Sequence, residues 1–221
     1  MAQLKQYDLQ GQEIGNIEVK DELLDVTINQ QLIKDYLVAI LANRRQWSAK
    51  TKGRSEINHS NAKPRPQKGS GRARQGTIKA SQYRGGAAVF GPRPKFDQHV
   101  KVNRKQKQAA IRFLIAEKIK QNAVHILDLG EVERPATKQA ALFLKKLSLA
   151  NKKVAFVGDC SDVGIKNFYL SVRNIPKTQF SLIANMNGYD MINAQEMVVL
   201  TPAVERFIAL LERKDESKKS L

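Results

Sequence analysis

No leucine occurs between Leu41 and Leu114. A gap of that length in one of the residues most often found buried rules out a single core running the length of the chain. Between Arg44 and Lys95 the only large apolar or aromatic side chains are Trp47, Ile57, Ile78, Tyr83, Val89 and Phe90. Seven of the 13 glycines and four of the seven prolines fall there too. Ordering a backbone costs roughly 1–2 kcal/mol per residue, whereas burying one such side chain contributes about 1.5–3 kcal/mol. Six side chains cannot hold the whole segment. Residues 44–95 are therefore read as a long extended loop, disordered or loosely held in the free protein. It interrupts a globular domain formed by 1–43 and 96–221, whose last residues, 213–221, form a charged tail.

The charge divides at nearly the same places. Residues 1–43 carry 3 Lys/Arg against 7 Asp/Glu, residues 44–107 carry 18 against 2, and residues 108–221 carry 17 against 12. Of the formal net charge of +17, the middle segment supplies +16. So concentrated a surplus points to a polyanion that surrounds the segment. No apolar run approaches the roughly 18 residues of a spanning helix. Residues 1–10 have neither the apolar core of a signal peptide nor an arginine-rich transit pattern. A cytoplasmic protein with no membrane partner is expected. Cys160 stands alone, which excludes an internal disulfide and a cysteine-built metal site. His59, His99 and His125 share no ligand spacing, so neither a metal nor a cofactor is expected, and His125 reads as structural.

The flanks alternate helical and strand patterns. Ile28, Leu32, Ile33, Tyr36, Leu37, Ile40 and Leu41 recur at three and four residues and predict a helix from Thr27, with Gln30 completing a capping box. Residues 3–7 and 13–19 flank Gly11 as a short hairpin. After the loop, Asn103 caps a helix to about Gln121 with Ile111, Leu114, Ile115 and Ile119 on its buried stripe. Strands are expected at 124–127, 154–157, 180–184 and 197–200. Helices are expected at 135–147 and 162–170, and a last one is capped by Thr201 with Pro202 at its first position. Short continuous apolar strands between helices give the α/β class: a three-layer domain around a mostly parallel sheet of about four strands, plus the long basic loop.

Within the loop, basic and small residues alternate in Gln67-Lys68-Gly69-Ser70-Gly71-Arg72-Ala73-Arg74-Gln75-Gly76. Glycine lets the backbone approach phosphates closely and permits positive φ. Arginine offers a planar fork of donors that suits phosphate oxygens. Tyr83 and Phe90 are spaced aromatics of the kind that stack on unpaired bases. Arg84-Gly85-Gly86 is a step also found in flexible RNA-binding tails. Pro64-Arg65-Pro66 and Pro92-Arg93-Pro94 stiffen the chain and lengthen its reach.

These runs, with Lys63-Pro64, Phe90-Gly91-Pro92-Arg93-Pro94, Leu41-Ala42-Asn43-Arg44-Arg45-Gln46 and Lys50-Thr51-Lys52, resemble the bacterial large-subunit ribosomal protein number four family. The resemblance covers essentially the whole chain. It implies a structural constituent of the large ribosomal subunit that binds large-subunit ribosomal RNA early in assembly. Arg44, Arg45, Lys50, Lys52 and Arg54 would track RNA on an outgoing limb. Arg72, Arg74, Lys79, Arg84, Arg93 and Lys95 would do so on the returning limb, with Tyr83 and Phe90 as stacking rings and Lys101, Arg104 and Lys105 extending the set. The tip, Lys63, Pro64, Arg65, Pro66, Gln67, Lys68, Gly69, Ser70 and Gly71, would help to line the peptide exit tunnel. The implied partners are that RNA, neighbouring large-subunit proteins and the nascent peptide, with no homo-oligomer. The chain departs from the family pattern at Asn58-His59-Ser60-Asn61-Ala62, where a glycine run is common. It departs again at Arg65-Pro66, where Trp-Arg is common, and at Tyr83, where tryptophan is common.

Two other patterns fail on context. Gly69-Ser70-Gly71 has no strand before it and no helix after it, so it is not a nucleotide-cradling loop. The stretch from Gly158 to Gly164 follows a strand, but its glycine spacing is wrong for a dinucleotide site and it reads as a plain strand-to-helix turn. The alternative in a different class is an RNA-modifying enzyme that uses the loop to grip its substrate, but no acid, base and cofactor constellation supports it. If the loop is separable, replacing residues 48–95 by a short linker leaves a cooperative thermal transition. Loss of that transition would make the segment part of the core.

Overall fold

The computed structural model describes residues 2–27, 29–46, 48–94, 99–130, 132–159 and 163–212. The chain divides into two compact units, Met1–Ile40 with Lys101–Leu221, and Leu41–Val100. In the first unit, β1 (Ala2–Asp8) and β2 (Glu13–Val19) form a hairpin, followed by the short α1 (Asp21–Leu24) and by α2 (Gln30–Asn43), whose last turn enters the second unit. Beyond the second unit come α3 (Arg104–Lys120), β3 (Val124–Asp128), α4 (Thr137–Lys146), β4 (Val154–Gly158) and α5 (Val163–Val172). Then follow β5 (Thr178–Leu182), a 3-10 turn at Ile183–Asn185, α6 (Gly188–Asn193), β6 (Glu196–Leu200) and α7 (Thr201–Glu212).

The strands make one six-stranded sheet in the order β2-β1-β3-β6-β4-β5. Every neighbouring pair is parallel except β1 with β2. The expected sheet of about four strands is thus two strands short. The hairpin supplies the difference, because β1 lies beside β3 with Gln6 opposite Ile126 and Tyr7 opposite Leu127. Only Leu4 and Tyr7 of β1 are buried, so its sequence does not look like a strand of the main sheet.

Alternation along the inner strands explains the layers. Val124, Ile126, Ala155, Val157, Met197 and Val199 point to one face, where Leu114, Ile115 and Ile119 of α3 and Ala203, Val204, Phe207 and Leu211 of α7 cover them. Leu127, Val154, Phe156, Val198 and Leu200 point to the other, under Ala140, Phe143 and Leu144 of α4 and Ile165, Phe168 and Val172 of α5. Period-two side chains on a strand buried on both faces yield a continuous apolar run. Phe143, Phe156 and Phe207 are fully buried. Truncating one such ring to alanine costs about 3–5 kcal/mol, a large share of the roughly 5–15 kcal/mol that holds a domain.

Element ends differ from expectation in instructive ways. The α2 helix starts at Gln30, and its cap is Asn29, whose Oδ1 accepts from the Gln31 N–H at 2.9 Å. The Thr27 box therefore does not form. Asn103 does precede α3 in an extended conformation, but its side chain makes no capping bond. Thr201 begins α7, yet its hydroxyl donates to the Leu127 carbonyl at 3.1 Å, tying α7 to β3. The strand expected at 180–184 lies two residues earlier as β5, its end tightening into the 3-10 turn. Asn187 caps the short α6 by accepting from the Asp190 N–H, and the buried Tyr36 of α2 meets this helix through its hydroxyl, which accepts from Gly188 N–H at 3.3 Å. Gly158 ends β4 against Phe180 and Leu200 with no room for a side chain. Cys160 and the expected helix start at Asp162 lie outside the described residues.

His125, on β3, sits edge-on to the Tyr7 ring, with 5.8 Å between centroids, and its Nε2 is 3.3 Å from Glu196 Oε2. Burial lowers its pKa below the usual 6.5, and the opposing pull of Glu196, itself shared with Lys152 at 2.7 Å, is too small to restore it. The unfolded chain therefore binds this proton more readily than the folded one. The stability held by the neutral ring is complete above pH 6.5 and declines as the pH falls below that value. His125→Gln should flatten the fall in unfolding free energy between about pH 6.5 and 5, measured by urea denaturation across that range.

Candidate nucleic-acid interface

The second unit, Leu41–Val100, contains 14 Lys/Arg against two acids, Glu56 and Asp97. Beyond the last turn of α2 its described residues form no helix or strand, only turns and bends. Its two ends meet at one side chain. Asn43 Nδ2 donates to the Val100 carbonyl at 3.1 Å, and Asn43 Oδ1 accepts from the Val100 N–H at 2.8 Å. This amide clasp spans 57 positions. Loop-closure entropy at that separation is about 3.6 kcal/mol plus a constant, against about 1 kcal/mol for each hydrogen bond. The clasp alone cannot close the segment. Closure follows from helices seated in the first unit, and Asn43 then fixes the register of the ends.

Further along, the outgoing and returning limbs cross. The Thr51 N–H donates to the Pro92 carbonyl and the Ala88 N–H to the Lys52 carbonyl, both at 3.2 Å. A Cβ on Gly91 would lie 1.9 Å from Thr51 Oγ1, so only glycine lets the limbs approach this closely. A second compact piece covers residues 79–87. Ala87 N–H donates to the Lys79 carbonyl, Tyr83 N–H to Ala80 and Gly86 N–H to Tyr83. A Cβ on Gly86 would meet the Ala80 oxygen at 2.0 Å. The Arg84-Gly85-Gly86 step is therefore a built turn, with Arg84 exposed on it.

The cations stand around these pieces. Arg44, Arg45, Lys50, Lys52, Arg54, Arg72, Arg74, Arg84 and Arg93 are exposed, while Lys79 and Tyr83 are half-buried. Among the described residues of this unit only Thr77 and Ala87 are buried. Phe90 is 103% exposed and adopts φ +54°, a region that costs a bulky residue of order 1–3 kcal/mol. Val89 beside it is exposed as well. Lys95 lies outside the described residues. Lys101, Arg104 and Lys105 belong to the first unit, the last two opening α3.

The tip residues Lys63, Pro64, Pro66, Gln67, Lys68, Gly69, Ser70 and Gly71 are exposed and Arg65 half-buried. Lys63 Nζ donates to Gln67 Oε1 at 2.6 Å, closing one turn over Pro64-Arg65-Pro66. Gly69 and Gly71 take φ of +86° and +61° with open space around them, a backbone free to adapt to a partner. Asn43, Thr51 and Gly91 are the organising residues that composition did not single out, although all three lie inside the runs that carried the family resemblance. Among the described residues no group of three or more His, Cys, Asp or Glu is placed to hold a metal ion.

Gly91→Ala should break the limb crossing while leaving the sheet intact. Limited proteolysis of the variant should then cut within 48–94 faster than in the parent, with an unchanged thermal transition. Equal cutting rates would remove the crossing from the account.

Known proteins resemble this chain over most of its length. Residues 17–210 match the Ribosomal protein L4/L1 family. The large ribosomal subunit protein uL4 of Caldicellulosiruptor bescii is 36% identical over 208 residues, covering 93% of this chain and 97% of that protein. That of Halothermothrix orenii is 36% identical over 214 residues, covering 96% and 100%. That of Petrotoga mobilis is 32% identical over 216 residues, covering 93% and 97%. On this breadth of match, the chain belongs to the ribosomal protein L4/L1 family.

Proposed function

We propose that the protein is a structural constituent of the large ribosomal subunit in the cytoplasm, and that it binds large-subunit ribosomal RNA early in assembly. In this reading residues 44–95 are the RNA-embedded element. Arg44, Arg45, Lys50, Lys52 and Arg54 track RNA on one limb, and Arg72, Arg74, Lys79, Arg84, Arg93 and Lys95 on the other. Tyr83 and Phe90 stack on bases, and Lys101, Arg104 and Lys105 add phosphate contacts. The tip at 63–71 helps to line the peptide exit tunnel, where it meets the nascent chain. The globular unit lies among neighbouring large-subunit proteins, as a single copy.

One observation carries the reading: residues 41–100 hold 14 cations against two acids, and of those described only Thr77 and Ala87 are buried. Such a segment has no core to hold it and needs a counter-surface of opposite charge on several sides. Folded ribosomal RNA supplies both the phosphates and the unpaired bases that exposed rings could take. Family membership supports the same conclusion, since the relatives are named as large ribosomal subunit proteins. The alternative of an RNA-modifying enzyme gains no support from the family or the fold.

The recombinant chain should co-sediment with large subunits and bind a large-subunit ribosomal RNA transcript with steep salt dependence. Six to ten phosphate contacts give a log–log slope of roughly −4 to −7 on single-stranded regions, steeper on duplex. Binding that ignores salt would sink the electrostatic account.

A further inference from the structure

Glu56 is the single acid among the described residues of the second unit, and its position is specific. One carboxylate oxygen, Oε1, is 3.0 Å from Lys50 Nζ. The other, Oε2, accepts from the Gly53 N–H at 3.0 Å, and the Glu56 N–H donates to the Gly53 carbonyl at 2.9 Å. The Arg93 guanidinium stands close by: a Cβ on Gly53 would be 4.0 Å from both Arg93 Nη2 and Glu56 Oε2. Lys50, Thr51, Gly53, Ser55, Glu56, Arg93 and Pro94 line an open depression of about 350 Å³ at this point.

A backbone N–H flanked by an ammonium and a guanidinium is the donor set that binds a phosphodiester. The two carboxylate oxygens use the donors as two non-bridging phosphate oxygens would, one on the ammonium and one on the N–H. We propose that the Lys50–Gly53–Arg93 turn is a phosphate site for RNA, occupied in the free protein by the Glu56 carboxylate, which an RNA phosphate displaces. The inference rests on the RNA-binding reading above and deepens it by naming a site and its internal competitor.

Displacement is the step the charges require. A phosphate approaching Lys50 and Arg93 with Glu56 in place would face a carboxylate at contact distance. The pair is exposed, with 56% of the Lys50 side chain and 42% of the Glu56 side chain open to solvent, and ion pairs of that kind are weakly held. Glu56 can rotate into solvent, whereas Gly53 N–H stays with the backbone. The Gly53 N–H, then Lys50 and Arg93, hold the Glu56 carboxyl below the usual 4.5, as expected of a group seated in an anion site. The intramolecular carboxylate keeps the turn formed before RNA arrives and disfavours weaker, isolated anions.

The test uses the full chain and a large-subunit ribosomal RNA transcript, with affinity measured across a salt series. Glu56→Gln keeps an oxygen for the Gly53 N–H and removes the charge. It should bind roughly two- to fivefold tighter at low salt, with a log–log slope steeper by about 0.7–0.9. Glu18→Gln, an equal charge change at an exposed position of β2, should change neither. Lys50→Gln added to Glu56→Gln should abolish the gain. In the parent chain, the Glu56 side-chain carboxyl followed by NMR should titrate below 4.5 when free and rise to that value or above on a short single-stranded RNA. Parent binding with no gain in Glu56→Gln, or a Glu56 carboxyl still depressed in the complex, overturns the proposal alone. A parent chain that does not bind the transcript overturns the RNA-binding reading and this site with it. Should Glu56→Gln fail to fold, the parent titration still decides.

Discussion

Strand β6 is where the two cores meet, and the rest of the first unit is arranged by that fact. It pairs with β3 on one side and β4 on the other, and its residues alternate between faces: Met197 and Val199 to one, Val198 and Leu200 to the other. Hydrogen bonds on both edges and apolar cover on both faces leave it little room for substitution. The α3 and α7 helices are seated by one face and α4 and α5 by the other. Because α3 and most of α2 belong to this unit, the basic segment leaves from it and returns to it.

The second unit obeys a different rule. With almost no buried apolar surface, its order comes from short-range backbone bonds and from places where glycine permits contact. Asn43 ties the ends, Gly91 lets the limbs touch, and Gly86 closes the turn that presents Arg84. Each contact is worth about a kilocalorie. The segment can therefore be locally shaped and still adapt over most of its length, a combination that suits a chain meant to follow another molecule's surface.

Much of this was legible in the residues. Continuous apolar runs located β3, β4 and β6. The amphipathic spacing of α3 and α7 named their buried faces. What stayed hidden was long-range or local in a way that periodicity does not see. The place of β1 in the main sheet depends on a parallel partner more than a hundred residues away, and its polar alternation reads equally well as a free hairpin. Helix caps slipped because several Ser, Thr and Asn residues compete for each end, as Thr27 and Asn29 do. In the candidate interface, residue type pointed to the exposed cations, but not to the neutral Asn43 and Thr51 that organise them. Nor did residue type show that Arg84-Gly85-Gly86 builds a hydrogen-bonded turn, since that depends on the backbone of Lys79 and Ala80.

The strand order carries a consequence for how the chain is made. The central strand is the last of the six in sequence. As the polypeptide is synthesised, β3 and β4 emerge with a vacancy between them that cannot be filled until residue 200 is out. The contacts that complete the sheet are non-local and slow to form. By then the whole basic segment has long been available. The edges of β3 and β4 that β6 will join stay unpaired for that interval, a condition in which nascent chains aggregate. A segment that engages a polyanion before the sheet closes would tether the unfinished protein at its destination and keep it apart from other copies, so that docking precedes completion of the fold.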